Sequence, residues 1–226
     1  MFWSGEDENH VIDLLAALTP TTGTFVDIGA NVGLVGLRVA ALVRPKRTIL
    51  VEPIGANVRL LTESIRLTGL ADGCVVLPFG LSDNARAAAL YVEADVRRTG
   101  NAGPVPRRGT TKVPITLRTL DESVEGKIDV IKIDVEGEEP AVLAGGGRAI
   151  AASLPVIYGE FADVTPGRPS NIVAVMDTLG PLGYRIFAFL SDRHLVEVRP
   201  VAGRGNALLV PPGFVPPVGW KFDFLD

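Results

Sequence analysis

The chain has 226 residues, with 22 Lys plus Arg against 26 Asp plus Glu, so its net charge is −4. Hydrophobic residues make up 47% and charged residues 21%, a globular composition that excludes a disordered chain, a collagen and a coiled coil. The lack of a basic excess gives no support for nucleic-acid binding, and the length fits one large domain or two small ones.

The elements alternate along the chain. His10 to Leu18 has helical apolar spacing and stops at Pro20. Thr24 to Ile28 is a short β-rich run ending in Gly29. Val32 to Val43 reads as a helix closed by Pro45. Thr48 to Val51 is strand-like and ends at Glu52-Pro53. Asn57 to Leu67 is amphipathic and ends at Gly69, and Cys74 to Leu77 is another strand. Short continuous apolar runs separated by helices indicate strands buried on both faces of a parallel sheet.

The rhythm then changes. Ala87 to Val92 and Val113 to Leu117 alternate in polarity, around a Gly-, Pro- and Arg-rich stretch from Arg97 to Thr111. A β-hairpin insertion over about 86–118 is expected. The strand–helix order resumes with Ile128 to Ile133, a helix from Pro140, the strand Val156 to Tyr158 and a helix from Asn171 to Leu179. Tyr184 to Leu190, Leu195 to Val198 and Ala207 to Val210 form a terminal strand group. The tail from Pro211, with Phe214, Trp220, Phe222 and Phe224, reads as an irregular segment laid on the body. The sole cysteine, Cys74, cannot close an internal disulfide. The acidic N-terminus lacks a signal-peptide pattern, and no apolar run is long enough to span a membrane. A cytoplasmic location is therefore the expectation, with no nucleic-acid or membrane partner and with homo-oligomerisation left open.

The most informative segment is Asp27-Ile28-Gly29-Ala30-Asn31-Val32-Gly33. Glycines after a strand let backbone approach a ligand and leave helix N–H groups free. The spacing is not the G-x-G-x-x-G of dinucleotide binders. Asp27, at a strand's carboxyl end, suits an ammonium or sulfonium better than a pyrophosphate. Glu52 follows Gly33 by 19 residues, a spacing at which an acidic residue commonly accepts hydrogen bonds from ribose hydroxyls.

The segment Lys132-Ile133-Asp134-Val135-Glu136-Gly137-Glu138 closes the next informative strand. Asp134 and Glu136 fall at the ligand-binding edge. Lys132 lies inside a buried strand and needs a partner, Asp27 or Glu160, in a buried ion pair. Glu138 and Glu139 read as helix-start residues before Pro140, complementing the positive helix end.

These three segments, Asp27 to Gly33, Glu52-Pro53 and Lys132 to Glu138, resemble the FkbM-type family of S-adenosylmethionine-dependent methyltransferases. The resemblance extends over roughly Glu6 to Pro211. It implies an α/β, Rossmann-like class I methyltransferase fold over residues 1–226. The sheet would have seven mostly parallel strands, an antiparallel last strand and helices on both faces. It also implies O-methylation of a small-molecule hydroxyl on a sugar, polyketide or other secondary metabolite, with S-adenosylhomocysteine as product. By the same resemblance Asp27, Gly29, Asn31 and Gly33 line the methionine part. Glu52, followed by Pro53, holds the ribose, and the Leu81-Ser82-Asp83 loop faces the adenine, with Asp83 accepting from its amino group. Asp134, at the ligand-binding edge, is a candidate for both cofactor binding and catalysis.

The catalytic candidates are Asp134, Glu136, Glu160 and Lys132. Any of the three carboxylates fits a general base, and together they fit a divalent cation that acidifies a hydroxyl. Without a compact ligand cluster, metal-free catalysis is the default. Family members commonly carry a histidine shortly after the position of Glu160. This chain has Phe161, Ala162 and Asp163 there instead, which leaves the base open. His10 and His194 read as surface residues. Arg97, Arg98, Arg107 and Arg108 read as a solvated basic loop or an anion-recognising one, and Trp3, Trp220 and Phe222 as packing or stacking groups. Three alternatives stand beside the methyltransferase. One is a nucleotide-sugar-dependent glycosyltransferase using Asp134-Val135-Glu136, and another a nicotinamide-dependent oxidoreductase. The third is a non-catalytic cofactor-binding protein. No G-x-S-x-G occurs, which argues against a serine hydrolase.

Overall fold

The structure is a computed structural model that describes residues 8–93, 102–103, 106, 109–161, 171–200 and 205–225. In chain order the first half contains α1 (Glu8–Leu18), β1 (Thr24–Ile28), α2 (Leu34–Val43), β2 (Arg47–Val51), α3 (Gly55–Thr68) and β3 (Cys74–Leu77). Then come β4 (Gly80–Leu81), β5 (Arg86–Glu93), β6 (Ala102–Gly103) and β7 (Thr110–Arg118). The second half contains α4 (Leu120–Ser123), β8 (Val130–Ile133), α5 (Glu139–Ala144), α6 (Gly147–Ser153), β9 (Val156–Glu160) and α7 (Asn171–Leu179). Four strands finish it: β10 (Arg185–Ser191), β11 (His194–Val198), β12 (Asn206–Val210) and β13 (Lys221–Asp223).

The main sheet has the order β13-β11-β10-β12-β9-β8-β1-β2-β3. Its β9-β8-β1-β2-β3 part is parallel throughout. β12 inserts antiparallel between β9 and β10. These seven strands match the expected sheet with one antiparallel member. The strand count of seven is nevertheless corrected to nine, because β11 pairs antiparallel with β10 and β13 pairs parallel with β11. The tail is therefore not wholly irregular. β13 covers what would otherwise be the unpaired edge of β11, and an uncovered edge invites association. Aromatic contacts hold it there: Phe222 and Phe224 meet the Phe187 ring edge-on, at 5.3 and 5.0 Å between centroids.

Strand alternation divides the core. Val26, Ile28, Ile131 and Ile133 face the layer that contains α4 to α7. Phe25 and Val130 face the other layer, with Ile12, Leu14 and Leu15 of α1 and Val39 of α2. Asp27 and Lys132 follow the parity of Phe25 and Val130, so they lie on the α2 side of the sheet. The turn before α2 delays that helix to Leu34, because Gly33 has φ +88° and is not yet helical. β3 is an edge strand with Val75 exposed, not a strand buried on both faces.

The insertion is the expected hairpin. β5 and β7 pair antiparallel from Arg86↔Leu117 to Glu93↔Thr110, and a second sheet forms in the order β4-β7-β5-β6. The sequence candidates Trp3, Arg97, Arg98, Arg107, Arg108, Ala162 and Asp163 lie outside the described residues. No helix among the described residues is long and apolar enough to cross a membrane.

Candidate active site

A cavity of about 280 Å³ opens at the carboxyl ends of β1, β2 and β8, where open α/β sheets bind ligands. Its polar side carries Asp27, Glu52, Asp134, Glu136 and Glu138, with Lys132 the one cation among the described lining residues. Its apolar side combines Val32, Leu34 and Val35 at the start of α2 with Leu90, Ile115 and Leu117 from the hairpin.

The first turn is dictated by its glycines. Gly29, Asn31 and Gly33 all have positive φ, at +78°, +51° and +88°. Gly29 N and Ala30 N both donate to Val51 O, at 3.0 and 2.9 Å, which ties the turn to β2. A Cβ on Gly29 would lie 1.9 Å from Asp134 O. Only glycine therefore allows the two strand-end turns to touch.

Asp27 is fully buried. Its Oδ1 lies 3.2 Å from Lys132 Nζ, which also donates to Gly29 O at 3.3 Å and lies 3.8 Å from Asp134 Oδ2. Of the two partners foreseen for Lys132, Asp27 is the one in place. Burial alone would lower the Lys132 pKa, but the Asp27 and Asp134 carboxylates outweigh it and hold the ammonium above its ordinary range. The pair sits against α2 at Gly36, where a Cβ would lie 2.5 Å from Asp27 Oδ2. Gly36 was not singled out from the sequence. Its signal was a glycine inside a helix, a costly choice that often marks close packing.

Glu52 is 4% exposed. Its Oε2 accepts from Asn31 N at 2.9 Å, and its Oε1 accepts from Ile54 N at 2.8 Å and Asn57 Nδ2 at 3.3 Å. Burial raises its pKa, and these three donors oppose the rise. Asn57, a second residue the sequence reading passed over, is buried on the first turns of α3. The Oδ1 atoms of Asn31 and Asn57 are buried and have no hydrogen-bond partner among the described residues. Buried acceptors of this kind ask for a donor, and Asn31 and Asn57 both line the cavity.

The second turn, residues 134–138, brings Asp134, Glu136 and Glu138 to the cavity. Glu139 does not behave as a solvated helix-start residue. It is 1% exposed, and its Oε1 accepts from Val135 N at 2.9 Å and Gly137 N at 3.3 Å. Burial pushes its carboxyl up to about 7. In an unfolded chain it would titrate near 4.5. Between those values the unfolded state has released a proton that the folded state still holds, so this group makes stability fall as pH rises. The expected loss from pH 4.5 to 7 is up to about 3 kcal/mol. Denaturant melts of wild type against Glu139→Gln, taken across that range, check it: the slope should flatten in the variant.

Not every sequence candidate converges here. Ser82 and Asp83 do not line the cavity; Gly80 and Leu81 of the same loop do. Arg86, at the start of the hairpin, takes both: its Nη1 is 2.8 Å from Asp83 Oδ1 and its Nη2 donates to Ser82 Oγ at 2.9 Å. That ion pair lowers the Asp83 pKa. Glu160, at the exposed end of β9, is likewise not among the lining residues, and Phe161 beyond it is fully buried. His10 and His194 are partly buried rather than free on the surface. They pair with Asp192 at 2.8 Å and Asp223 at 2.7 Å, and neither lines the cavity.

The chain resembles known methyltransferases in sequence and fold. The chain is 28% identical over 170 residues to methyltransferase sdnD of Sordaria araneosa, covering 61% of this chain and 64% of that protein. The crystal structure of methyltransferase FkbM from Methylobacillus flagellatus KT shares the fold with TM-score 0.58 and 20% identity, over 84% of this chain and 44% of that one. M. jannaschii TYW2, solved in complex with AdoMet, does so with TM-score 0.50 and 14% identity, over 93% and 76%. The chain thus spans less than two thirds of the first two proteins. The methyltransferase FkbM domain model matches residues 27–186, a span that begins at Asp27 and takes in both turns of the cavity, and the chain belongs to that family.

Proposed function

We propose that the chain transfers a methyl group from S-adenosylmethionine to a hydroxyl oxygen of a small molecule. The observation that carries this reading is the cavity's charge and shape. Five carboxylates and one already paired lysine line a cleft beside a glycine turn. A diphosphate would meet net negative charge there, as in a nucleotide-sugar or nicotinamide cofactor. A ligand bearing a sulfonium, an ammonium and a diol meets acceptors. The fold is one that holds AdoMet in TYW2.

When bound, the cofactor supplies a methyl group on a positively charged sulfur, which an acceptor oxygen displaces. The chain's own residues do the rest. Glu52 presents the remaining acceptor capacity of Oε2 to the ribose, while its bonds to Asn31 N, Ile54 N and Asn57 fix the carboxylate. The Gly29–Gly33 turn brings backbone to the ligand. Lys132 is committed as an ammonium to Asp27, Gly29 O and Asp134, so it holds the two turns in register and does not take the acceptor's proton. The acceptor's proton goes to Asp134 or Glu136, the two carboxylates among the catalytic candidates that line the cavity. Glu160, away from it, is set aside as the base. Leu90, Ile115 and Leu117 give the cavity an apolar hairpin wall. Alignment of acceptor and methyl then supplies much of the acceleration, for which oriented reactants allow about 7–11 kcal/mol.

Calorimetry tests the reading. S-adenosylhomocysteine should bind, and UDP-sugars and NAD should not; the reverse pattern would overturn it. Glu52→Gln should weaken S-adenosylhomocysteine by about 10-fold or more, the usual loss for a charge-assisted hydrogen bond.

A further inference from the structure

We propose that Glu139 is a positioning residue of this site, clamping the 134–138 turn that forms one wall of the cavity. The inference rests on the cofactor reading above only for its binding measurement.

The turn has an unfavourable backbone. Glu136 has φ +56° and Gly137 φ +99°, two left-handed residues in succession, the first with a side chain. Such a conformation persists only where its surroundings over-determine it. One carboxylate restrains it on both sides of Glu136. Glu139 Oε1 reaches back from the first residue of α5 and accepts from both Val135 N and Gly137 N, the amides on either side of Glu136. Its Oε2 lies 3.4 Å from Asn171 Nδ2, so the first residue of α7 backs the clamp.

What the clamp positions is the chemistry. Asp134 N donates to Ile28 O at 3.0 Å, and Asp134 O lies where a Gly29 Cβ would have to go. The Asp134 carboxylate is 3.8 Å from Lys132 Nζ. A shift of the turn by a fraction of an ångström would therefore change the spacing of Asp134 and Glu136 from the glycine turn opposite. A glutamate serving only to complement the helix end would stay solvated. This one is 1% exposed, does not line the cavity, and has both oxygens within hydrogen-bond distance of Val135 N, Gly137 N and Asn171 Nδ2.

The test compares Glu139→Gln, Glu139→Ala and Glu139→Asp. Glutamine keeps an Oε1 that can accept both amides, alanine keeps none, and aspartate keeps the charge but is one methylene too short. NMR-detected amide exchange of the ligand-free protein is read at Val135 and Gly137, with Ile131 and Ile133 of β8 as internal controls. Thermal melts verify that each variant folds. Exchange at the two turn amides should rise at least about 10-fold in the alanine and aspartate variants, with the β8 amides unchanged, and stay near wild type in glutamine. S-adenosylhomocysteine affinity should follow the same order, falling about 10-fold or more in alanine and less than about 3-fold in glutamine. Unchanged turn protection in a folded alanine or aspartate variant would overturn the clamp. So would a glutamine variant that loses protection like alanine. If wild type itself binds no S-adenosylhomocysteine, the cofactor reading fails and the exchange data alone decide the clamp.

Discussion

Asp27→Ala is expected to destabilise the fold by about 3–5 kcal/mol, because it strands the Lys132 ammonium in the interior. The lysine side chain is 10% exposed and the aspartate 1%. Once Asp27 is gone, Lys132 keeps Gly29 O at 3.3 Å and the more distant Asp134 at 3.8 Å, neither of which replaces a contact at 3.2 Å. Binding of S-adenosylhomocysteine should fall at least about 30-fold, the loss expected when one member of a buried charge pair is truncated. The double variant Asp27→Leu/Lys132→Met separates the two effects. Replacing a buried ion pair by apolar side chains of similar volume is often neutral or stabilising, so the double variant should recover most of the stability measured in urea. It should still bind poorly, since the strut between the two turns is gone. A folded Asp27→Ala protein with wild-type affinity would show that the site is assigned wrongly.

Gly29→Ala has the second largest expected effect, and its cause is steric. The new Cβ would stand 1.9 Å from Asp134 O and 3.0 Å from Asp134 C, so backbone must move. The left-handed φ of +78° adds a conformational cost of about 1–2 kcal/mol for a residue with a side chain. Gly69→Ala is the natural control. Gly69 caps α3 with φ +66° and has nothing within 4 Å of a built Cβ. That variant should lose only the conformational part, about 1–2 kcal/mol, and leave S-adenosylhomocysteine affinity untouched. The difference between the two variants in melts and calorimetry measures the close approach itself. Equal losses in both would mean that the two turns do not touch as described.

The cavity has a simple logic. Two turns meet at the ends of β1 and β8. Gly29 lets them touch, the Asp27–Lys132 pair ties them from the sheet, and Glu139 holds the second from beneath. The hairpin closes the apolar side with Leu90, Ile115 and Leu117. Those three residues illustrate a limit of sequence reasoning. Ala87 to Val92 and Val113 to Leu117 alternate in polarity, yet that pattern carries no information on what either strand covers.

Much of the fold was legible from local chemistry. β1 at Thr24–Ile28, β3 at Cys74–Leu77 and α7 at Asn171–Leu179 fall where apolar runs, glycines and helical spacing place them. These signals are short-range, set by backbone sterics and by a period of 2 or 3.6 residues. The glycine turn, Glu52 and the Lys132–Glu138 segment were legible for the same reason: a strand end, a turn and a helix start are encoded within a few neighbours. The rest depended on residues far apart in the chain. Asp83 pairs with Arg86 and does not line the cavity, Glu139 is buried with Asn171 of α7 against it, and β13 joins the sheet with Phe222, and Phe224 just beyond it, against Phe187. Sequence spacing determined which residues stand at the strand ends. Only tertiary packing decided which of their side chains face the cavity, because desolvation and partner geometry act through space and not along the chain.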